Sequence, residues 1–452
     1  MNVKLRTCTA VLIAFFCSIF FIGCRGGEID KNTNVILIVV DSLRADQLSF
    51  YGYQKSTTPS IDNFVCDSIL FRNTIASAPW TSPSIGNILT SQYPGVLGYL
   101  DKTIKLDDKF ITLPEIFKLN GYLTKGIISH VLIASNLLFS QGFDSYDEDN
   151  ALGHEHISSH SITDKALSFL KENKDKKFFL FLHYFDPHYD YIMHEKYNYF
   201  PNYNGPLYSG QSIQEMRSVS KDLNEVDIKY LNAMYDSEIS FTDEHIGRLF
   251  AGMKDMGLYD KALIIFTADH GEELAEKSDK FIGHQKKLSQ AVLHVPLIIK
   301  LPNKKEEKVM DDYVGLIDIL PTIIKYLNLK IPANFDYDGE IIDLEQLKRI
   351  NNNPIFSETY RVLRLQSVIT EGWKLIEAKS GAVKELYDLD SDPMEMKNLK
   401  KENPNIALKL KRILEKWVDY IAGKIKEFNL KKQNPDFTKE QIERLKSLGY
   451  IK

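Results

Sequence analysis

Two apolar runs, far apart in the chain, each stop at a carboxylate. One is Asn34-Val-Ile-Leu-Ile-Val-Val-Asp41, and the other is Ala262-Leu-Ile-Ile-Phe-Thr-Ala-Asp269, continued by His270-Gly271-Glu272. A continuous apolar run of this length reads as a strand covered on both faces, as in a parallel sheet between helical layers. Such sheets bind their ligands beyond the carboxyl ends of the strands. Two carboxylates and an imidazole delivered to that edge predict a divalent cation held by oxygen and nitrogen donors.

The rest of the chain is consistent with that frame. At 452 residues and 44% hydrophobic content, it exceeds a single typical core of ~100–200 residues, so one large domain with a smaller companion is expected. Strand-like runs at Tyr122–Ile128, Lys177–His183, Ala262–Ala268 and Val295–Leu301 alternate with helical patterns at Ile162–Glu172, Asp227–Met253 and Asp318–Leu327. The alternation predicts an α/β fold with a large doubly wound, mixed or parallel sheet flanked by helices, over residues 34–335. Short β-type runs then crowd together at Asn353–Ser357, Ser367–Thr370, Trp373–Glu377 and Lys384–Tyr387. They predict a small antiparallel subdomain over 336–400, followed by helices over 401–452, namely Ile406–Lys426 and Lys439–Gly449. The charge run Lys304–Lys308 reads as a solvated loop. The Tyr/Asn-rich stretch Tyr189–Tyr208 reads as an irregular surface loop at a pocket rim. The net charge is −5 with mixed signs throughout and no long block of one sign, so nothing resembles a nucleic-acid-binding patch.

The N-terminus differs in kind. Lys4 and Arg6 precede an uncharged apolar stretch, Ala10–Gly23. At about 14 residues it falls short of the ~20 needed to span a bilayer and fits a signal-peptide core. Its end, Phe21-Ile22-Gly23-Cys24, resembles a bacterial lipobox, with Phe21 where leucine is usual. Residues 1–23 are therefore expected to be removed, Cys24 to carry lipid, and residues 24–33 to act as a tether to the membrane of the cell envelope, on its periplasmic or outer side. Cys8 and Cys17 would leave with the signal, so only Cys66 would remain and no disulfide framework is possible. Cys66 lies among apolar residues and reads as a small core hydrophobe.

Between the two carboxylate-ended runs lies Ala78-Pro79-Trp80-Thr81-Ser82-Pro83-Ser84-Ile85. It reads as a turn feeding a helix, with Pro83 early and Thr81 or Ser82 at the cap. A helix N-terminus offers free N–H groups and partial positive charge to a tetrahedral oxyanion. A hydroxyl there, touching a cation, can serve as a nucleophile.

These segments come in the order found in the sulfatase family of the alkaline-phosphatase superfamily. The resemblance rests on Val39-Val-Asp41-Ser-Leu-Arg44-Ala-Asp46, Trp80-Thr81-Ser-Pro83-Ser84, Phe178-Phe-Leu-Phe-Leu-His183-Tyr-Phe-Asp186-Pro-His188, Thr267-Ala-Asp269-His270-Gly-Glu272 and Gly283-His284. Asp318-Ile-Leu-Pro-Thr, Leu386-Tyr-Asp-Leu-Asp390-Ser-Asp-Pro393 and the ending Leu445-Lys-Ser-Leu-Gly-Tyr450 extend it almost to the last residue. The resemblance implies an alkaline-phosphatase-like fold. It implies one divalent metal ion (calcium, manganese, zinc or magnesium) held by Asp41, Thr81, Asp269 and His270. It implies that His188 and His284 grip the transferred group or protonate the leaving oxygen. Asp46, Asp236, Glu238 and Arg44 are expected to form structural ion pairs or caps. His183 is expected to be a satisfied core histidine or an outer partner of the site. His154, His156 and His160 are expected on a solvated face. A dinuclear arrangement would need Asp186 with further histidines.

The departures from the family pattern matter as much. Sulfatases carry cysteine or serine where Thr81 stands, and oxidise it to formylglycine. Threonine cannot give that aldehyde, because its β-carbon bears a methyl group. The family's arginine is Ile85 here, its second aspartate is Ser42, and its sulfate-gripping lysine is absent near Ile128-Ser129-His130. Ser129 or His130 is the available substitute. Thr81 is therefore the expected nucleophile of an enzyme that hydrolyses or transfers sulfate or phosphate esters, with phosphoester chemistry favoured. Its substrate would be a small molecule, a glycan or a lipid head group. The alternative is a degenerate relative kept as a cell-surface binding protein, which would hold no cation. The N-terminal reading makes a separate prediction: the mature chain starts at a lipid-modified Cys24. Mass spectrometry that finds Met1–Gly23 intact, or Cys24 unmodified, refutes it.

Overall fold

The computed structural model describes residues 33–99, 105–151, 158–361, 363–430 and 435–450. The signal segment, Cys24, most of the tether, His154 and His156 lie outside them. Both sheets described below belong to one compact unit that starts at Asn32.

The strands are β1 Val35–Val40, β2 Ile69–Ile75, β3 Leu123–Ile127, β4 Ser145–Asp147, β5 Phe178–Tyr184, β6 Leu263–Ala268, the two-residue ribbon β7 Glu273–Leu274 and β8 Ile282–Gly283, β9 His294–Lys300 and β10 Lys308–Gly315. After a second ribbon, β11 Ile342–Asp343 with β12 Lys348–Arg349, come β13 Ile355–Thr359, β14 Leu365–Thr370, β15 Trp373–Ala378 and β16 Lys384–Asp388. The helices are α1 Pro59–Val65, α2 Thr81–Thr90, α3 Leu113–Leu119, α4 Ser158–Asn173, α5 Ile213–Val219, α6 Glu225–Asp255, α7 Gln290–Leu293, α8 Ile319–Leu327, α9 Pro404–Phe428 and α10 Lys439–Ser447.

The main sheet has eight strands in the order β10-β2-β9-β6-β1-β5-β3-β4. Its middle is the apolar runs. Every residue of β1, β5 and β6 is buried, as a strand between two helical layers must be. Helices α1, α4 and α6 pack with one another as one group, and α2, α3 and α8 as another. This is the mixed, helix-flanked α/β sheet expected from the sequence. The register is what matters for function. Val40 pairs with Tyr184 on one side and Ala268 on the other, so β1, β5 and β6 end level. β3 pairs in parallel with β5, so residues following four neighbouring strands emerge along one edge.

β9 is the strand that runs against its neighbours, antiparallel to both β6 and β2. It also contains Pro296, which has no N–H to give to a ladder. The sheet accommodates it with a bulge: the β2–β9 register shifts between Phe71 and Thr74, where a proline is tolerated. The His294 ring donates from Nε2 to the Arg72 carbonyl there (2.9 Å).

The C-terminal strands β13 to β16 form an antiparallel meander. Helix α9 covers β14 and β15 with Ala407, Leu410, Leu414, Trp417 and Ile421, a stripe at helical spacing. Trp417 stacks on Phe356 at 4.8 Å and meets Tyr93 edge-on at 5.2 Å. β13 is laced to the loop ahead of α2. The Glu358 amide donates to the Ser77 carbonyl (2.9 Å), and the Ser357 hydroxyl to the Ala76 carbonyl (2.7 Å).

Three expectations are corrected. Cys66 is exposed at the end of α1, its thiol turned to the Asp62 carbonyl, because the helix ends with that position facing outward. The charge run stops short of Lys308, which opens the edge strand β10. The Tyr189–Tyr208 stretch is not wholly a surface loop, since Tyr189 and Tyr191 are 0% and 1% exposed.

Trp417→Ala is expected to lower the stability of the folded chain by about 3–5 kcal/mol, the usual cost of emptying a large aromatic site. Urea unfolding followed by circular dichroism measures it. A loss under about 1 kcal/mol would mean that α9 is not held through this stack.

Candidate active site

The carboxyl edge of β6-β1-β5-β3 collects the predicted residues. Asp41 follows β1, Asp269 follows β6, and both are fully buried. The Asp41 amide donates to the Tyr184 carbonyl (2.8 Å), which pins the end of β1 to β5. Ser42 stands where a second aspartate was expected, and it serves the two that remain. Its hydroxyl donates to Asp41 Oδ1 (3.0 Å) and its amide to Asp269 Oδ1 (3.2 Å). The His270 amide also donates to Asp269 Oδ1 (2.8 Å). Asp269 Oδ2 has no hydrogen-bond partner among the described residues. Burial, then the charge of Asp269, push the Asp41 acid well above the usual carboxylate range. Burial also raises Asp269, against the pull of His270. Among the described residues no lysine or arginine pairs with either. Two buried carboxylates without a cationic side chain are stable only as neutral acids or beside a cation brought from outside.

Thr81 is the first residue of α2, with Trp80 at the cap in extended conformation and no side-chain cap bond. Neither Thr81 nor Ser82 caps the helix, contrary to the sequence expectation. The Ser82 hydroxyl donates to the Leu132 carbonyl (2.8 Å), and Ser84 to the Asp269 carbonyl. The Thr81 hydroxyl instead lies 3.5 Å from Asp41 Oδ2 and 3.4 Å from His270 Nε2.

The hydrogen bonds fix which histidine nitrogens carry lone pairs. His270 donates from Nδ1 to the Gly271 carbonyl (2.9 Å), so its Nε2 is bare. That Nε2 stands 3.5 Å from both Asp41 Oδ1 and Asp269 Oδ2. Of the two roles expected for His183, the structure goes against the satisfied core residue and keeps it beside the site. Ser129 gives its proton to the His183 carbonyl (2.6 Å) and so presents a lone pair to His183 Nδ1 (3.4 Å). The bare Nε2 of His183 is fully buried, without a hydrogen-bond partner among the described residues, 3.6 Å from Asp41 Oδ2. Burial pushes this imidazole down to about 3, which keeps it neutral.

Five side chains thus face one another at 3.4–3.6 Å. That is long for charged hydrogen bonds. It matches donors sharing a cation, since ligands at ~2.1 Å stand ~3.4 Å apart at tetrahedral angles. Asp41, His183 and Asp269 are one of two acid/histidine groups close enough to hold an ion, and Asp41, His130 and His188 are the other. The second group fits less well, because the Leu132 amide donates to His130 Nδ1 (2.9 Å), which puts the ring proton on Nε2.

Beyond this cluster, His188 and His284 face the same space. His188 donates from Nδ1 to the Tyr189 carbonyl (2.9 Å). The β7–β8 ribbon delivers His284, whose Nδ1 lies 3.0 Å from Glu272 Oε1 and whose ring packs 4.4 Å from that of His270. Burial raises the Glu272 acid well above the usual range. Burial holds His130, His188 and His284 well below the ordinary imidazole value.

The structural pairs read from the sequence are in place. Arg44 is buried and bridges Asp46, Glu276 and the Glu272 carbonyl. Asp236 takes Lys55 and Tyr53, and Glu238 takes His194 and the Ile192 amide. His160 is exposed beside Asp164. Asp186 is occupied by Ser158 and Ser159, so the dinuclear arrangement built on it has no support. Sequence reasoning missed Tyr450, whose hydroxyl lies 3.2 Å from the Nε2 atoms of both His188 and His284. Its only sequence signal was the Gly-Tyr ending.

Comparison with known proteins identifies the family and the fold. The family model described as Sulfatase matches residues 33–329, and one described as N-sulphoglucosamine sulphohydrolase, C-terminal, matches residues 284–419. Arylsulfatase K of Bos taurus is 23% identical, over 88% of this chain and 84% of the relative. A solved structure described as being in complex with its substrate D-glucosamine-2-N,6-O-disulfate superposes with a TM-score of 0.68 at 21% identity, covering 90% of this chain and 100% of that one. The phosphonate monoester hydrolase of Silicibacter pomeroyi superposes with a TM-score of 0.67 at 20% identity, covering 86% and 95%. The matched segment opens at the strand leading to Asp41 and takes in every side chain predicted for the site, and the chain belongs to the sulfatase family.

Proposed function

We propose that this sulfatase-family hydrolase is a cation-dependent enzyme in which the Thr81 hydroxyl is the nucleophile toward a phosphate or sulfate ester. The single observation that carries the reading is the position of that hydroxyl. It is free of capping duty and sits between Asp41 and His270 at the start of a helix. Asp41, Asp269, His270 and Thr81 would hold the ion, joined by His183 in place of the aspartate missing at Ser42. Two imidazoles in the donor set favour zinc over calcium or magnesium. The bound cation would ease loss of the Thr81 proton and neutralise charge on the ester.

The remaining work falls to the chain. Thr81 Oγ1 attacks phosphorus in line, the bond to the leaving oxygen breaks, and a phosphothreonine forms. His188 or His284, neutral and with Nε2 bare in the resting site, takes up the proton that Thr81 loses and passes it to the departing alcohol. Water then attacks phosphorus, releases phosphate and restores the Thr81 hydroxyl. The free N–H groups of α2 face the transferred oxygens. His130, with its proton on Nε2, is the donor that stands in for the absent lysine. Phosphoesters suit this nucleophile better than sulfate esters. A formylglycine hydrate has a second hydroxyl that expels sulfate, and a threonine ester has none. The glucosamine disulfate bound to one structural relative and the phosphonate activity named for another support a glycan or small-molecule ester as substrate. Residues 1–24 support an envelope protein anchored by lipid.

Two outcomes are expected. With divalent cation supplied, the wild type turns over members of a panel of phosphate monoesters, diesters, phosphonates and sulfate esters. Thr81→Ala loses more than about 10³-fold in kcat. Turnover of a sulfate ester by Thr81→Ala at the wild-type rate would remove Thr81 as nucleophile. His183→Ala is expected to weaken binding of Mn²⁺ or Zn²⁺ beyond the roughly 10–100-fold that loss of an outer partner costs. Calorimetric titration and metal analysis measure it, and unchanged affinity would return His183 to the core. Absence of any cation in the pure protein and on titration would favour a binding protein.

A further inference from the structure

The family's anion-gripping arginine and lysine are missing here, yet two polar groups from the C-terminal part of the chain reach the same space. Helix α10 starts on a Thr438–Gln441 capping box. It is tied down by Gln441 to Asn136 (2.9 Å). It ends in a Schellman turn: Gly449 takes φ +70°, and the Tyr450 amide returns to the Leu445 carbonyl (2.8 Å). The turn sends the Tyr450 side chain inward, where it is buried. Its oxygen lies 3.2 Å from His188 Nε2, 3.2 Å from His284 Nε2 and 3.4 Å from His130 Nε2. Those contacts lie at or beyond the long end, ~3.2 Å, of hydrogen bonds between nitrogen and oxygen, and a phenol with one proton cannot satisfy the bare Nε2 atoms of His188 and His284 at once. The hydroxyl is positioned but not committed.

Arg361 follows β13. Its guanidinium lies 4.7 Å over the ring of Trp80, the residue before Thr81, and 5.5 Å over that of Tyr450. Its Nε donates to Gln285 Oε1 (3.2 Å), beside His284. Its Nη2 is buried with no partner among the described residues. A buried cationic donor without an acceptor is costly and points to a ligand that completes it.

We propose that Tyr450 and Arg361 form an anion clamp, in which the Tyr450 O–H and the Arg361 Nη2 donate to oxygens of the tetrahedral group of a bound ester or its product. The proposal rests on the ester-cleaving reading of the site. It makes the last part of the chain a contributor to substrate binding.

The test is calorimetric titration of orthovanadate, inorganic phosphate and sulfate into the cation-loaded full chain. The wild type is expected to bind at least one of them. Tyr450→Phe and Arg361→Ala are each expected to weaken it about 10-fold or more, with cation stoichiometry and thermal midpoint unchanged. Gly449→Ala, which strains the turn without removing the phenol, is expected to weaken it too. Unchanged anion affinity in Tyr450→Phe and Arg361→Ala would overturn the clamp and leave the ester reading standing. A cation-loaded wild type that takes up none of the three anions would overturn both.

Discussion

Everything at the carboxyl edge answers one electrostatic demand. The ends of two neighbouring strands put Asp41 and Asp269 into a fully buried space with no lysine or arginine among the described residues to neutralise them. Two like charges there would cost far more than a fold can spare. The surrounding groups are arranged as if a positive charge were due. Ser42 and the His270 amide occupy the Oδ1 side of Asp269 and leave Oδ2 open. Ser129 and the Gly271 carbonyl fix the tautomers of His183 and His270 so that bare nitrogens face the acids. The nucleophile candidate is set by the same logic, since Thr81 is the one hydroxyl of the first turn of α2 that is not consumed by a backbone carbonyl.

How much of this the sequence could tell depended on how each residue's role is encoded. β1, β5 and β6 were legible because strands buried on both faces are written as unbroken apolar runs. The edge strand β10 was not, because its run Lys308-Val-Met-Asp-Asp-Tyr-Val-Gly carries exposed acids and a register shift. β2 was hidden for a related reason: Arg72 and Asn73 sit at the bulge that the β9 proline requires. Asp41, Thr81, Asp269, His188, His270 and His284 were found by motif order, and the fold brings them to one edge. His183 was left open between core residue and outer partner because a histidine in an apolar strand looks the same whether its far nitrogen is satisfied or bare. Only the Ser129 contact, made across the sheet edge, distinguishes the two. Tyr450 lies so far along the chain from the other groups that no local pattern could link them.

The C-terminal meander is more than a companion. β13 holds the loop that leads to Thr81 through Ser77 and Ala76, and its end reaches the Gln285 carbonyl through Thr359 (2.8 Å). Lys374 and Glu395 form a fully buried ion pair (2.6 Å) that also engages Gln290 at the start of α7. The small sheet therefore braces both the segment bearing the nucleophile candidate and the segment bearing His284. Breaking a buried pair of this kind is expensive because it strands a charge, so rigidity of the site is underwritten from outside the main sheet.

The reversed direction of β9 has its own consequence. Because this strand begins at the edge where β6 ends, the chain between them never has to cross the sheet. The excursion from Asp269 to Leu293, including the β7–β8 ribbon, leaves and rejoins the sheet at the edge that carries the site. Most other connections in the sheet need a helix to return the chain to the opposite edge, which restricts their length. This one has no such obligation, so relatives could lengthen, shorten or rewrite it and thereby reshape what is admitted, while the strands beneath keep their pairing.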